Sequence, residues 1–91
     1  MNRKRDRLQI IHDILKAVRE KSGRIRPTHI LYKSNLSHQM MEEYLTDLIS
    51  KGFLEVHGDK RGRTYSITDK GHEYLNKYRM IAEFVDSFGL D

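Results

Sequence analysis

Cysteine is absent from the 91 residues, which excludes disulfides and thiolate metal sites. The five histidines (His12, His29, His38, His57 and His72) show none of the paired spacings of a histidine-held metal, so neither a metal nor another cofactor is expected. No segment approaches the long apolar run of a membrane span, and the N-terminus lacks the shorter one of a signal peptide. A soluble, cytoplasmic chain with no membrane partner is therefore expected. Catalytic signatures are missing too. There is no nucleophile elbow, phosphate-cradling glycine loop, paired-carboxylate cleft or zinc spacing. A hydrophobic content of 37% fills one small core and leaves little room for a substrate cavity, so the chain is not expected to be an enzyme or to take a small-molecule substrate.

What is present is positive charge, unevenly placed. The formal net charge is +4. Residues 1–33 hold ten Lys/Arg against Asp6, Asp13 and Glu20, a surplus of seven, whereas residues 34–58 hold Lys51 alone against Glu42, Glu43, Asp47 and Glu55, a deficit of three. Hydrophobic spacing then divides the chain. Leu8, Ile11, Ile14, Leu15 and Val18 recur three or four apart, with Ile10 widening the stripe, and predict a helix over Arg5–Lys21 closed by Ser22-Gly23. Arg24 to Pro27 reads as a connector, because the proline ring disfavours helical geometry at Arg26. Thr28 can cap a short second helix, His29–Lys33, whose Ile30 and Leu31 face the core, with Ser34-Asn35 as a turn.

The stretch from Ser34 to Leu54 organises the rest. Ser37 is suited to cap a third helix starting near His38, with Leu36 before it able to staple onto Met41. Met41, Tyr44, Leu45, Leu48 and Ile49 share one face until Lys51-Gly52 ends the helix, Gly52 being able to take a left-handed conformation. Phe53–His57 and Arg63–Ile67 alternate as two strands around a basic loop, Gly58 to Gly62, with Leu54, Val56, Tyr65 and Ile67 on the covering face. Thr68 caps a last helix from Asp69. Its Tyr74, Tyr78, Ile81, Val85 and Phe88 are spaced 4, 3, 4 and 3 apart, a heptad seam that predicts pairing with a second copy; the same helix could instead lie across its own domain. A helix of about twenty residues, ~30 Å long, should overhang so small a core and leave Ile81 to Phe88 uncovered. The expected class is mainly α with a small β-hairpin (α+β): a winged helix-turn-helix over residues 1–70 and a long C-terminal dimerisation helix over 71–91.

The patterns RLQIIHDILKAV, THILYKSNLS, YLTDLISKGFLE and YSITDKGHEYLNKY resemble those of the small archaeal winged-helix DNA-binding proteins and transcriptional regulators that dimerise through a C-terminal helix. The resemblance spans nearly the whole chain. It implies binding of double-stranded DNA as a homodimer, joined by an antiparallel coiled coil, in the cytoplasm and in association with the nucleoid. Carried over by position, it places Ser34, Asn35, Ser37, His38 and Gln39 nearest base edges and phosphates, Gln39 being suited to a bidentate pair with adenine. On the wing, Lys60, Arg61 and Arg63 are expected to contact phosphates, or the minor groove in the case of Arg61. One departure stands out. The open face of helix three carries Glu43 and Asp47, which repel phosphate, so affinity is expected to rest on the wing, on Lys33, on Lys21, Arg24 and Arg26, and on the Arg3-Lys4-Arg5-Arg7 arm. The same acids support an alternative in which the fold is a protein-interaction module of transcription or replication machinery.

Overall fold

Each helix of the protein starts at a residue suited to start one. A computed structural model describes residues 5–21 and 24–89, in the order α1 (Arg7–Glu20), α2 (Pro27–Ser34), α3 (His38–Ser50), β1 (Leu54–His57), β2 (Thr64–Ile67) and α4 (Asp69–Ser87). Arg3 and Lys4 of the arm, and Ser22-Gly23, lie outside the described residues. Helix α1 opens on a reciprocal cap: the Asp6 carboxylate accepts from the Gln9 N–H at 2.8 Å, and the Gln9 side chain accepts from the Asp6 N–H at 3.1 Å. Helix α2 starts earlier than the sequence suggests. Pro27, not His29, is its first residue and Arg26 its N-cap, so Thr28 caps nothing. The proline ring holds a helical φ, and the N–H it lacks has no partner in a first turn anyway. Ser37 caps α3 through the Met40 N–H, and Thr68 caps α4 through the Gly71 N–H.

The core collects one face of each element. Ile14, Leu15 and Val18 of α1, Ile30 of α2, Met41, Leu45 and Leu48 of α3, and Leu75 of α4 are all buried. Strands β1 and β2 pair antiparallel, Leu54 opposite Ile67 and Val56 opposite Tyr65. Ile25, read above as part of a connector, exchanges two backbone hydrogen bonds with Tyr65, at 2.9 and 2.8 Å, and is fully buried. It supplies a third row to the sheet. This placement also explains why Val56 does not cover the core as its alternation suggested: in the row Ile25–Tyr65–Val56 it stands at the outer edge and is 42% exposed. Leu8 likewise sits outside the core stripe it was expected to join.

Helix α4 divides into two parts. In its first half Leu75 is buried, the Tyr74 hydroxyl donates to the Leu8 carbonyl at 2.8 Å, and Tyr78 stacks on His12 with ring centroids 4.3 Å apart. Burial pushes the Tyr74 hydroxyl up to about 12, with Tyr78 and Asp6 adding to the effect, and burial also raises Tyr78. The first two residues of the heptad series thus pack on their own chain. Beyond them Met80, Ile81, Phe84 and Phe88 are each at least 60% exposed, and Phe84 leans on Phe88 at 4.9 Å. Val85 is partly covered. The overhang makes the protein elongated, 47 Å along its major axis. No helix among the described residues is long and apolar enough to cross a membrane.

Candidate nucleic-acid interface

The turn between α2 and α3 is built on Asn35, which takes the left-handed conformation (φ 54°) that asparagine tolerates better than most residues. Its carbonyl accepts from Arg5 Nη2 at 3.1 Å, while Arg5 Nη1 is paired with Asp13 at 2.7 Å. One guanidinium therefore ties the turn to α1. Ser34 does not belong to this surface. It is fully buried, and its hydroxyl donates to the Ile30 carbonyl, the backward bond by which a serine satisfies itself within a helix. This corrects its placement among the DNA-facing residues. Ser37, His38 and Gln39 are exposed on the first turn of α3, the Ser37 hydroxyl already accepting from Met40. Lys33 is exposed on α2 but lines a groove against Asp13, Ala17 and Glu20 of α1.

The exposed face of α3 is less acidic than its sequence. Asp47 Oδ2 lies 2.6 Å from Arg7 Nη2, and its Oδ1 lies 3.0 Å from Lys51 Nζ. Arg7 also rests over the Tyr44 ring, 5.3 Å from the centroid. The hydrogen bond from Lys51, helped by the charges of Lys51 and Arg7, holds the Asp47 carboxyl below its ordinary value against the opposing effect of desolvation. Because the folded pKa is depressed, the stabilisation is present above the unfolded value of 3.8 and is lost as pH falls through the lowered one. Lys51, four residues on along the helix, is a partner that local spacing reports; Arg7 is not. Arg7 lies forty residues away, a separation at which no local pattern reports a pair. The Thr46 and Ser50 hydroxyls turn back onto the Glu42 and Asp47 carbonyls. Gln39 and Glu43 are thus the exposed polar groups of this face not bonded to the described residues.

The wing is organised by Asp59. Its side chain accepts from the Arg61 N–H at 2.9 Å and its carbonyl from the Gly62 N–H at 3.2 Å, so the carboxylate serves the turn. Gly58 has a φ of +82°, and a Cβ there would come within 2.7 Å of the Gly62 carbonyl, so only glycine fits. Lys60, Arg61 and Arg63 are left exposed, and among the described residues none of them is in an ion pair. At the strands' outer end His57 Nε2 meets Ser66 Oγ at 2.7 Å. The molecule thus offers three exposed cations on the wing, without an ion pair among the described residues, and a first α3 turn exposing an amide and an imidazole.

Comparison with known proteins bears on this arrangement. The winged helix-turn-helix family model matches residues 4–85. Uncharacterized protein MJ0290 of Methanocaldococcus jannaschii is 32% identical over 82 residues, covering 90% of this chain and 36% of that protein, so the chain spans about a third of that relative's length. Among solved structures, Sso10a-2, a DNA-binding protein from Sulfolobus solfataricus, superposes with a TM-score of 0.79 at 20% identity, covering 92% of this chain and 85% of that one. Transcriptional regulator Tm0710 from Thermotoga maritima superposes with a TM-score of 0.65 at 21% identity, covering 86% and 60%. At such identities the likeness to the solved structures is one of fold.

Proposed function

The chain belongs to the winged helix-turn-helix family, and from that premise we propose that it binds duplex DNA as a homodimer and acts in the cytoplasm as a transcriptional regulator or a chromatin-associated protein. Residues 1–70 form the DNA-binding unit in this reading, and residues 71–91 the pairing helix. Its role is binding, with no catalytic step. The observation that carries it is the wing, whose Lys60, Arg61 and Arg63 lack a carboxylate partner among the described residues and so are available to phosphate. Asn35, Ser37, His38 and Gln39 then meet the major groove, Gln39 reading a base edge and its neighbours the backbone. Lys33 contributes long-range attraction from α2.

The test is salt dependence. Changing Lys60, Arg61 and Arg63 together to Gln should reduce the log-log slope of duplex affinity against salt by about 2.7 per engaged protomer, at about 0.9 per lost phosphate contact. An unchanged slope would remove the wing from the interface. The neutralised carboxylate of α3 gives a second expectation. Asp47→Asn removes a negative charge from the face and frees Arg7 and Lys51 for phosphate, so duplex affinity should rise by about threefold at low salt, as expected for one charge acting across roughly 10 Å of water on several phosphates. Weaker binding in a mobility-shift titration would mean instead that Asp47 positions Arg7. The competing reading, in which an acidic α3 docks a protein partner, has lost one of its two charges to intramolecular pairing.

A further inference from the structure

On the side of α4 away from exposed Ile81, Phe84 and Phe88, a cleft of about 240 Å³ runs between α1 and α4. It is lined by His12, Lys16, Arg19, Leu75, Asn76 and Arg79. The first three are spaced four and three apart and so share one face of α1, while Asn76 and Arg79 share one face of α4. Three basic side chains line the cleft, and no carboxylate does. Among the described residues none of the three is in an ion pair, whereas Arg5, Arg7, Lys51 and Lys77 each are. Lys16 also borders the adjoining groove, where Asp13 and Glu20 stand beside it and Lys33, so Arg19 and Arg79 are the cations that belong to this cleft and not to that groove.

The Asn76 amide is also fit for an anion. Arg79 Nη2 donates to Asn76 Oδ1 at 3.2 Å, which orients the amide and leaves its NH₂ free to donate. His12 is held in place by its stack on Tyr78 and by Asp13 Oδ1, 3.2 Å from its Nδ1. Buried Leu75 closes the floor. The geometry points to a binding site for a small phosphate-class anion, inorganic phosphate or a phosphomonoester, seated between α1 and α4. The cleft is smaller than the roughly 300–1,000 Å³ of sites for larger organic ligands, and guanidinium forks match tetrahedral oxyanions. Arg79 lies about 200° around the helix from Ile81, so a second copy seated on Ile81 and Phe84 leaves the Arg79 side of the cleft open. The bound anion ties the DNA-binding lobe to the projecting helix. This assignment does not depend on what the wing binds.

The test titrates inorganic phosphate into the full chain, with chloride at matched ionic strength as the reference, by calorimetry. Saturable binding with one site per chain is expected, weakened at least about tenfold in Arg19→Gln/Arg79→Gln, the loss of two charge-assisted contacts. Both positions are exposed, and an unchanged melting curve in chloride confirms that the variant is folded. Binding no stronger than that of chloride, or equal in the two proteins, overturns the site. A second arm measures duplex affinity against salt. An unchanged slope in the double variant supports a free anion as the ligand, and a reduced slope makes the cleft a strip of DNA-backbone contacts and overturns the small-ligand assignment.

Discussion

Gly71→Ala is expected to lower the melting temperature by about 10 °C. The cause is local and specific. A Cβ on Gly71 would sit 2.6 Å from the Phe53 carbonyl oxygen and 2.6 Å from Ile67 Cγ1. That carbonyl cannot retreat, because it accepts from both the Thr68 N–H at 3.2 Å and the Thr68 hydroxyl at 3.0 Å. Overpacking of this kind costs about 3 kcal/mol at the upper end of its usual range, and the better helix propensity of alanine returns about 1. A net loss of about 2 kcal/mol corresponds to the stated shift in a domain of this size. Gly62→Ala is the control. Nothing lies within 4 Å of a Cβ there, and its effect should stay within about 0.5 kcal/mol. Thermal unfolding followed by circular dichroism reads both; a Gly71→Ala protein that melts no lower than the parent would mean that α4 is not seated against the base of the wing.

Placing aspartate at both Ile81 and Phe84 should halve the sedimenting mass, from twice 10.8 kDa to 10.8 kDa, and weaken duplex binding at least about a hundredfold. Met80, Ile81, Phe84 and Phe88 form the largest run of exposed apolar side chains among the described residues, and a soluble monomer rarely leaves such a run open. In the proposed pair these residues are covered by their counterparts, and two carboxylates on each side would have to be desolvated without partners. Because both positions are exposed in the protomer, the substitutions leave its own core intact. The loss of DNA affinity follows from the loss of the second lobe, which converts a bivalent contact into two independent weak ones. Equal masses for the two proteins would refute the pairing face.

These expectations draw unequally on what the sequence made legible. Ser37, Met41, Leu45, Leu48 and Gly52 could be read directly, since caps, helical period and a terminating glycine are local signals. The overhang of α4 was legible too, from the mismatch between helix length and the size of the core. Ile25 was not, because a single buried residue between Arg24 and Arg26 is too short a pattern to announce a strand, and its partner Tyr65 lies forty residues on. Neither was the division of the heptad series. Tyr74 and Tyr78 keep the seam spacing but meet Leu8 and His12 of their own chain, a choice made by tertiary packing. Pairing of Arg7 with Asp47 belongs to the same class. Counting charges along the chain assigned α3 a repulsive face on which the folded molecule neutralises Asp47 and leaves Glu43.

Thr68 both ends β2 and begins α4, and its hydroxyl donates to the Gly52 and Phe53 carbonyls at 2.6 and 3.0 Å, so wing and helix meet at a rigid joint. From the last anchored residue, Tyr78, to Phe88 the rod extends ten residues, about 15 Å. In the proposed pair that length works as a ruler: it sets how far apart the two hairpin tips stand, and hence how many base pairs separate the points at which one dimer touches the duplex. A seven-residue extension would preserve the phase of the seam yet move each lobe outward by about 10.5 Å, roughly three base-pair steps. Target spacing would then be a property of helix length, adjustable without altering any residue that meets DNA.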